Sequence, residues 1–215
     1  KGIIQNVNRN AGNVILGSET KLLYGREYLS DKLSELDFQV GYKSFWQINT
    51  ATMELILDSI RGAIKRDAVL LDAFCGIGAI GLAMASQVKE LILLEEQEEA
   101  IEDAKINAEL NGIKNLSYAQ GSFQDMLPEV LTRHHPQVII MDPPRSGIDP
   151  ASLERIKQSG IAKIIYLSCS PITLVRDIKL LLAEDCYSCL SLQSFDMFPN
   201  TWHIECLAIL EKKHQ

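Results

Sequence analysis

The chain has 215 residues, of which 47% are hydrophobic and 23% are charged. This composition is typical of a globular protein and excludes a disordered or fibrous chain. Lys and Arg total 21 against 28 Asp and Glu, so the formal net charge is −7. That charge argues against a protein that coats nucleic acid on its own, although it leaves room for a local basic groove.

Nothing in the sequence indicates a membrane protein or a secreted one. No apolar run approaches the roughly 18 residues of a membrane-spanning helix, and residues 1–10 lack the apolar core of a signal peptide. The five cysteines, an odd number, are interpreted as reduced thiols rather than a disulfide framework. We therefore expect a cytoplasmic protein without a membrane partner. Because the chain begins with Lys1 rather than Met, we also expect it to be part of a longer protein.

The first 45 residues predict a small β-rich lead-in. Its predicted strands are residues 3–7, 13–16, 22–24 and 37–40, with a turn-rich stretch at residues 8–12. Apolar residues then recur at helical spacing over about residues 50–64, a helix that Asn49 or Thr50 would cap. We expect one domain boundary near residues 43–49. The lead-in then occupies residues 1–45, and a larger domain occupies residues 46–215.

From Ala68 onward the sequence repeats a strand, a turn and a helix. Strands are predicted at residues 68–72, 90–94, 116–119, 137–141 and 163–167, and helices at residues 78–85, 98–111, 124–132, 150–159 and 171–183. Two further strands, residues 189–196 and 204–211, follow with a short loop between them. The pattern predicts an α/β fold with a doubly wound, mostly parallel seven-stranded sheet and an antiparallel terminal hairpin. Gly112 is predicted to end a helix, and Asp149 and Ser170 to cap helices that begin with proline.

The strongest local signal is the stretch from Asp72 to Gly81, which follows a predicted strand and opens a helix. Gly76, Gly78 and Gly81 satisfy the G-x-G-x-x-G pattern, in which glycines let the backbone turn tightly and approach a ligand. Glu95 ends the next strand, where an acid can accept hydrogen bonds from ribose hydroxyls. These features fit a nicotinamide-dependent dehydrogenase, or a glycine turn that serves packing alone. Asp72, however, would lie close to a bound pyrophosphate, and it better suits a ligand with an ammonium group and no phosphate, such as S-adenosylmethionine.

Two more motifs follow later strands, at the carboxyl ends where open α/β sheets bind their ligands. The two prolines of the Asp-Pro-Pro-Arg segment at residues 142–145 restrict the backbone of this loop. Asp142 then either orients a ligand or is a solvated residue on a rigid connection. Cys169 directly precedes a predicted helix, whose free N–H groups and dipole favour a thiolate. The alternative for this cysteine is a small buried hydrophobic side chain. Cys186 and Cys189 lack a second ligand pair, so we predict no metal site.

Five separate segments carry a family resemblance that runs from Ile3 to Leu210. Phe-Trp-Gln-Ile-Asn at residues 45–49 matches a family segment Phe-Phe-Gln-Val-Asn, and the others are residues 72–78, 142–145, 168–171 and 196–205. Together they resemble the RNA uracil-5-methyltransferase family, which includes transfer-RNA and ribosomal-RNA enzymes. Two positions depart from its pattern. Ser170 replaces the usual Asn after the cysteine, and Ser122 stands where an Asp or Asn is common beside the adenine.

The resemblance implies a Rossmann-like class I methyltransferase fold with S-adenosylmethionine as cofactor. It implies that Cys169 is the nucleophile and Glu205 the base, although Glu205 would be dismissed by position alone. The residues that would bind the cofactor are Gln47, Phe74, Gly76, Gly78, Glu95 and Asp142, with Glu95 on the ribose. The partner would be RNA, and we expect 23S ribosomal RNA, with transfer RNA as the alternative. Family members often carry an N-terminal RNA-binding barrel, and some an iron–sulfur cluster; we expect neither in this part of the chain.

The implied reaction needs a nucleophile, a base and a methyl donor, and no metal. A thiolate that adds to carbon-6 of uracil makes carbon-5 nucleophilic, and loss of the carbon-5 proton then lets the thiolate leave. Because both carbons must enter a pocket, the base has to be unstacked or flipped out, and Trp46, Phe198 or Trp202 could stack on it.

Other interpretations stay open. Cytosine-5 methylation shares the thiolate addition, but its RNA branch normally carries a second cysteine in the loop where this chain has Arg145. An amino-methyltransferase would have an aromatic residue at that position. A dehydrogenase fits only the glycines, and a non-catalytic RNA-binding module leaves Cys169 and Glu205 unexplained. We therefore predict methylation of carbon-5 of a uridine in RNA.

Overall fold

The computed structural model of the protein describes residues 1–9 and 15–213. In chain order the elements are β1 (Gly2–Val7), β2 (Glu19–Gly25), β3 (Tyr28–Leu33), β4 (Leu36–Gly41), α1 (Thr50–Ala63), β5 (Val69–Ala73), α2 (Ala79–Met84), β6 (Glu90–Glu95), α3 (Glu98–Leu110), β7 (Leu116–Gln120), α4 (Phe123–His134), β8 (Val138–Met141), α5 (Pro150–Gln158), β9 (Lys163–Ser168), α6 (Pro171–Leu182), β10 (Tyr187–Phe195) and β11 (Glu205–Lys212). A short 3-10 turn, Ala183–Asp185, follows α6. Within these residues no helix has the length and apolar character needed to span a bilayer.

Seven strands form the central sheet, in the order β10-β11-β9-β8-β5-β6-β7. The strands from β9 to β7 pair in parallel, whereas β11 runs antiparallel to both β9 and β10. β5 and β8 are buried along their whole length, as expected for parallel strands that helices cover on both faces. Two apolar cores form around the sheet. The predicted doubly wound sheet with a terminal antiparallel hairpin is confirmed.

The order of the strands reverses between β5 and β8. From β5 the sheet grows through β6 to β7, and β8 then returns to the other side of β5. Ligands of open α/β sheets bind at such a reversal, outside the carboxyl ends of the two strands. The loops that follow β5 and β8 begin at residues 74 and 142. The topology therefore brings the glycine-rich loop and the Asp-Pro-Pro-Arg loop to one crevice.

The lead-in consists of two antiparallel hairpins, β1–β2 and β3–β4. The free edge of β4 is bound by one face of α3, through side chains spaced four residues apart. The backbone N–H groups of residues 37, 39 and 41 donate to Asn111, Asn107 and Asp103 over 2.9, 2.7 and 3.1 Å. These bonds cover an edge that could otherwise pair with another strand. They fasten the β3–β4 hairpin to α3, while the division into residues 1–45 and 46–215 stays a prediction.

Two stretches of the lead-in differ from the sequence-based prediction. The sequence pattern predicts no strand at β3, because Ser30, Asp31 and Lys32 interrupt its apolar alternation, and β3 forms through pairing with β4. Of the strand predicted at residues 13–16, residues 13 and 14 lie outside the described residues. Ile15 and Leu16 are not in a strand.

The helix ends largely follow the predicted capping residues. The side chains of Asn49 and Asp149 each accept a hydrogen bond from the backbone N–H three residues further on, that of Thr52 in α1 and that of Ser152 in α5, as expected for N-caps. Gly112 follows α3 with a φ of +65°, a conformation that suits glycine after a helix. Ser170 is the N-cap residue of α6 and Pro171 follows it, as predicted, but its side chain forms no cap hydrogen bond. The Ser168 hydroxyl bonds the backbone N–H and C=O of Ser170.

Candidate active site

The loop after β5 bends through three residues with positive φ. Phe74, Gly76 and Gly78 have φ values of +63°, +53° and +82°, a region that glycine enters freely and a bulky residue rarely adopts. The Gly78 N–H donates to the Cys75 carbonyl over 2.8 Å and closes the turn. The Phe74 ring packs 4.8 Å from the ring of Phe123, and this packing holds Phe74 in its unfavourable conformation.

Asp72 lies beneath this loop and is 1% exposed. Its Oδ2 accepts a hydrogen bond from the Gly81 N–H over 2.8 Å, which ties β5 to α2. A Cβ at position 81 would lie 2.7 Å from that oxygen, so the contact requires glycine. Burial raises the pKa of Asp72 to about 7; the Gly81 bond opposes this effect, and the nearby Glu95 carboxylate adds to it. Near neutral pH, Asp72 therefore exchanges readily between its protonated and ionised forms.

Glu95 braces the same loop from the end of β6. Its Oε2 accepts a hydrogen bond from the Gly76 N–H over 3.0 Å. Its Oε1 accepts from the N–H groups of Glu96 and Gln97, each over 2.9 Å. A carboxylate offers about four acceptor positions, so one is left for a ligand hydroxyl. The ribose contact expected of Glu95 stays a prediction, and the structure adds a structural role that its position alone did not indicate.

Asp142 follows β8 on the other side of the crevice. Burial raises its pKa to about 8, and the carboxylates of Glu205 and Asp72 add to the shift. Within the described part of the chain, neither Asp142, Asp72 nor Glu205 forms a salt bridge. Three carboxylates without such a partner, of which Asp72 and Glu205 are buried and Asp142 is half-buried, make this crevice suited to a positively charged ligand.

The loop after Asp142 is held by three side chains of α6 that sequence analysis missed. Asp177, which is fully buried, accepts hydrogen bonds from the Ile148 N–H over 2.9 Å and the Tyr166 hydroxyl over 2.7 Å. Arg176 donates to the carbonyls of residues 146 and 148, and Thr173 donates to that of residue 145. The sequence held one signal for Asp177, because it is an acidic residue on the apolar face of a predicted helix. Leu174, Ile178 and Leu181 are buried on the same face.

Cys169 lies between the end of β9 and the start of α6, where its side chain is half-buried. Burial and the carboxylate of Glu205 raise the pKa of its thiol above the usual value. The Arg145 guanidinium opposes this shift, because its polar contact and its positive charge favour the ionised thiol. That the start of α6 also favours the thiolate stays a prediction.

Glu205 is the first residue of β11 and is 4% exposed. The antiparallel register of β11 and β9 ends where Cys206 pairs with Ser168. Glu205 and Cys169 are the residues next to that last pair, and the Glu205 carboxylate lies near enough to raise the pKa of the Cys169 thiol. Burial raises the pKa of Glu205 to about 7, and the charge of Arg145 partly offsets the shift. A carboxylate with that pKa can accept a proton at neutral pH. Local sequence carries no signal for this proximity, because it depends on two strands far apart in the chain.

Gln47 lies just before α1, beside the loop that leads into β11. Its Oε1 is buried and has no hydrogen-bond partner among the described residues, which is unusual for a buried polar atom. Asn49, two residues on, donates to the Met197 carbonyl over 3.4 Å and so joins this segment to residues 196–204. An unpaired buried acceptor here fits the ligand contact predicted for Gln47.

The remaining predicted contacts differ in their surroundings. Trp46 donates to Asp31 over 2.9 Å and packs 5.1 Å from the ring of Phe38, so its indole is committed to the lead-in. Trp202 is 90% exposed. Ser122 caps α4, with its hydroxyl 2.7 Å from the Asp125 carboxylate. Among the described residues, no group of three or more His, Cys, Asp or Glu side chains is arranged to hold a metal ion.

Comparisons with known proteins agree on one family. Residues 9–213 match the family model described as tRNA (uracil-5-)-methyltransferase. A protein of Oceanobacillus iheyensis named as an uncharacterised RNA methyltransferase is 40% identical over 99% of this chain and 47% of its own length. One of Enterococcus faecalis with the same name is 38% identical over 98% and 46%. The chain thus spans about half the length of these curated relatives.

Solved structures show the same architecture. The tRNA (uracil-54, C5)-methyltransferase of Pyrococcus abyssi, crystallised with S-adenosyl-L-homocysteine, has a TM-score of 0.84 and 28% identity, over 97% of this chain and 50% of its own. The tRNA m1G37 methyltransferase of M. jannaschii has a TM-score of 0.64 and 16% identity, over 91% of this chain and 61% of its own. At that identity the second likeness concerns the fold alone.

Proposed function

Because the chain belongs to the tRNA (uracil-5-)-methyltransferase family, we propose that it transfers a methyl group from S-adenosylmethionine to carbon-5 of a uridine in RNA. The observation that carries this proposal is the antiparallel register of β9 and β11, whose last pair, Ser168 and Cys206, is followed by Cys169 and preceded by Glu205 at the same end of the two strands. Addition to carbon-6 and proton loss from carbon-5 require a nucleophile and a base that reach one ring.

The side chains at the crevice fit this cofactor. When bound, it supplies an electrophilic methyl group on a positively charged sulfonium. Asp72, which is buried, and Asp142, which is half-buried, form no salt bridge among the described residues and would face its positive charges. Glu95 has an acceptor position left for the ribose, and Gln47 Oε1 is an unpaired acceptor. The full proposed set is Gln47, Phe74, Gly76, Gly78, Glu95 and Asp142.

The chain's own residues divide the reaction between them. Arg145 stabilises the thiolate of Cys169, which adds to carbon-6 of the uracil ring. Once carbon-5 has gained the methyl group, Glu205, with a pKa of about 7, removes the proton from carbon-5, and the electron pair left behind restores the ring double bond as the bond between sulfur and carbon-6 breaks. Because Glu205 is buried, the target base has to leave its stack to reach these groups.

The class of RNA is a narrower proposal. The sequence motifs lead us to expect 23S ribosomal RNA, whereas the names of the family model and of the Pyrococcus abyssi enzyme refer to transfer RNA. Mass mapping of 5-methyluridine in both RNA classes, from cells with and without the gene, distinguishes them. A methyl group that disappears from transfer RNA alone would overturn the ribosomal expectation.

The roles of Cys169 and Glu205 predict two different mutant behaviours in the full-length protein. Glu205→Gln should still form the bond to RNA but lose it slowly, by the roughly 10²–10⁴-fold typical of a missing general base. It should therefore accumulate as a methylated RNA–protein adduct that survives denaturing electrophoresis. Cys169→Ala should form neither adduct nor product.

Cys189→Ala is the matched control, since Cys189 is an exposed thiol on the outer strand β10. It should methylate RNA at the normal rate. Normal turnover by Glu205→Gln, or an adduct formed by Cys169→Ala, would contradict the assignment of these two roles.

A further inference from the structure

The loop between β10 and β11 presents a tryptophan to solvent. Trp202 is 90% exposed, whereas Met197, at the other end of the loop, is completely buried. An indole is one of the largest apolar side chains, and its exposed face is suited to stacking. The other tryptophan of the chain, Trp46, is bonded to Asp31 and packed against Phe38. The exposure of Trp202 is therefore a property of its position in the loop.

The backbone on both sides of Trp202 is held in one conformation. The Thr201 hydroxyl donates to the Phe198 carbonyl over 2.8 Å and accepts from the His203 N–H over 3.2 Å. Asn200 adopts a φ of +68°, which turns the chain sharply. These bonds bracket Trp202 without covering its ring. The indole is thus presented with little backbone freedom left to lose on binding.

A line of contacts leads from the nucleophile to this indole. The Thr173 hydroxyl lies 3.2 Å from the carbonyls of both Arg145 and Ser170, so Arg145 lies beside the segment of Cys169, and its guanidinium acts on the thiol. The same guanidinium lies 3.5 Å from the His203 ring nitrogen Nδ1. The His203 ring meets the Trp202 ring edge to face, with centroids 5.9 Å apart. Trp202 therefore lies outside the pocket of Cys169 and Glu205, two side chains beyond the thiol.

We propose that Trp202 stacks on an unpaired base next to the target uridine in single-stranded RNA. The target base itself must go deeper, because it has to reach the buried Glu205. Its removal from the strand leaves the neighbouring base without a stacking partner, and an aromatic ring can replace that partner. The positive charge of Arg145, on the far side of the His203 ring from Trp202, suits the phosphates between the two nucleotides. This inference rests on the proposed function.

Two tryptophans make the contact measurable by fluorescence. In Trp46→Phe full-length protein, Trp202 is the only tryptophan within residues 1–215. The double variant Trp46→Phe/Trp202→Phe gives the fluorescence of the rest of the protein, which is subtracted. The probe is a 13-nucleotide single-stranded RNA with one uridine among adenosines, and the comparison RNA has abasic sites on both sides of that uridine. The intact RNA should quench Trp202 and the abasic RNA should not. Equal quenching by both RNAs would overturn the inference.

The kinetic readout separates stacking from a structural role. Trp202→Ala should raise KM for the intact RNA about 5- to 140-fold, the range expected for one lost base–aromatic stack, with kcat little changed. Trp202→Phe should restore most of the affinity, whereas Trp202→Leu, which is apolar but not aromatic, should not. The matched control, Leu192→Ala, removes an exposed apolar side chain from β10 and should leave KM unchanged. An unchanged KM for Trp202→Ala, or full rescue by leucine, would refute base stacking.

The proposed methylation can fail separately. If RNA quenches Trp202 with the expected dependence on flanking bases but Glu205→Gln traps no adduct, the stacking contact is supported and uridine methylation is not. If the adduct forms and the RNA does not change the fluorescence of Trp202, methylation is supported and the stacking contact is overturned. Quenching of Trp202 by a protein partner, with none by the RNA, would likewise overturn the stacking contact.

Discussion

At the scale of single residues, the site is defined by carboxylates in an environment that resists their charge. Burial raises the pKa values of Asp72 and Glu205 to about 7 and that of Asp142 to about 8. In the unfolded chain such groups ionise near pH 4. Between these values the folded protein holds more protons than the unfolded chain. The contribution of these three groups to the free energy of unfolding therefore falls as the pH rises from about 4 to about 8.

Asp142→Asn tests this dependence, because Asp142 has the highest of the three pKa values. Without cofactor, the free energy of unfolding of the wild type should fall from about pH 4 to pH 8, since folding increasingly costs the neutralisation of this group. The variant should show a shallower fall. Urea denaturation at four pH values measures the difference. Asp58→Asn, an exposed change on α1, should leave the slope as in the wild type, and a rise of wild-type stability over this range would contradict the assignment.

Glu95 combines a structural role with a predicted ligand contact. Glu95→Ala should weaken S-adenosylmethionine binding by about 1.5–3 kcal/mol, the usual value for hydrogen bonds to a charged group. Because Glu95 also holds the Gly76 N–H, part of that loss would come from a looser loop. Isothermal titration measures the affinity, and hydrogen exchange of the Gly76 amide reports the loop. Faster exchange with unchanged affinity would mean that Glu95 only braces the loop.

At the scale of secondary-structure elements, α6 positions the Asp-Pro-Pro-Arg loop and follows directly on the segment that carries Cys169. Its first turn follows Cys169, and its side chains Thr173, Arg176 and Asp177 hold the backbone of residues 145–148. Arg145, which reaches the thiol, therefore belongs to a loop whose position is set by the helix that follows Cys169.

Asp177→Ala should lower the free energy of unfolding by about 3–5 kcal/mol, because it leaves Arg176 and two buried donors without their partner. The loop should also move, so the pKa of Cys169 should rise further as the Arg145 bond weakens. Thermal denaturation and the pH dependence of thiol alkylation measure the two effects. Lys179→Ala, an exposed change on the same helix, should alter stability by less than about 0.5 kcal/mol. A small loss for Asp177→Ala would mean that the loop holds itself.

Elements with a clear hydrophobic period could be predicted from the sequence. All strands of the central sheet and its helices lie where period and capping indicate, within the one or two residues by which helix ends usually vary. β3 escaped prediction because its polar residues form a strand only through pairing. The candidate site was harder to predict from the sequence. Asp177 carried a weak local signal. The approach of Glu205 to Cys169 depends on how β9 and β11 align, which the local sequence pattern does not encode.

At the scale of the whole molecule, the negative charge of the chain disfavours one proposed ligand, RNA, more than the other, S-adenosylmethionine. The net charge of −7 is unfavourable for RNA, whose affinity comes largely from contacts between basic side chains and phosphates. The cofactor crevice depends on buried carboxylates instead.

The chain of residues 1–215 alone should therefore bind S-adenosylmethionine but bind RNA weakly at physiological salt. Calorimetry measures the first affinity. Fluorescence anisotropy with labelled RNA at 50 and 200 mM salt measures the second, which should fall with a shallow slope because few phosphates are neutralised. Absence of cofactor binding, or tight RNA binding at the higher salt, would contradict this expectation.

The register shared by β9 and β11 also limits how the length of this chain can vary in evolution. One residue inserted between Glu205 and the rest of β11 would turn the carboxylate to the opposite face of the sheet. Two would return it to the same face but shift it by roughly 7 Å, beyond the reach of its partner. The edge strand β10 already contains an irregularity between Cys189 and Ser191, the kind of feature that absorbs an extra residue. Insertions and deletions among homologues should therefore gather in β10, and β11 should keep its length.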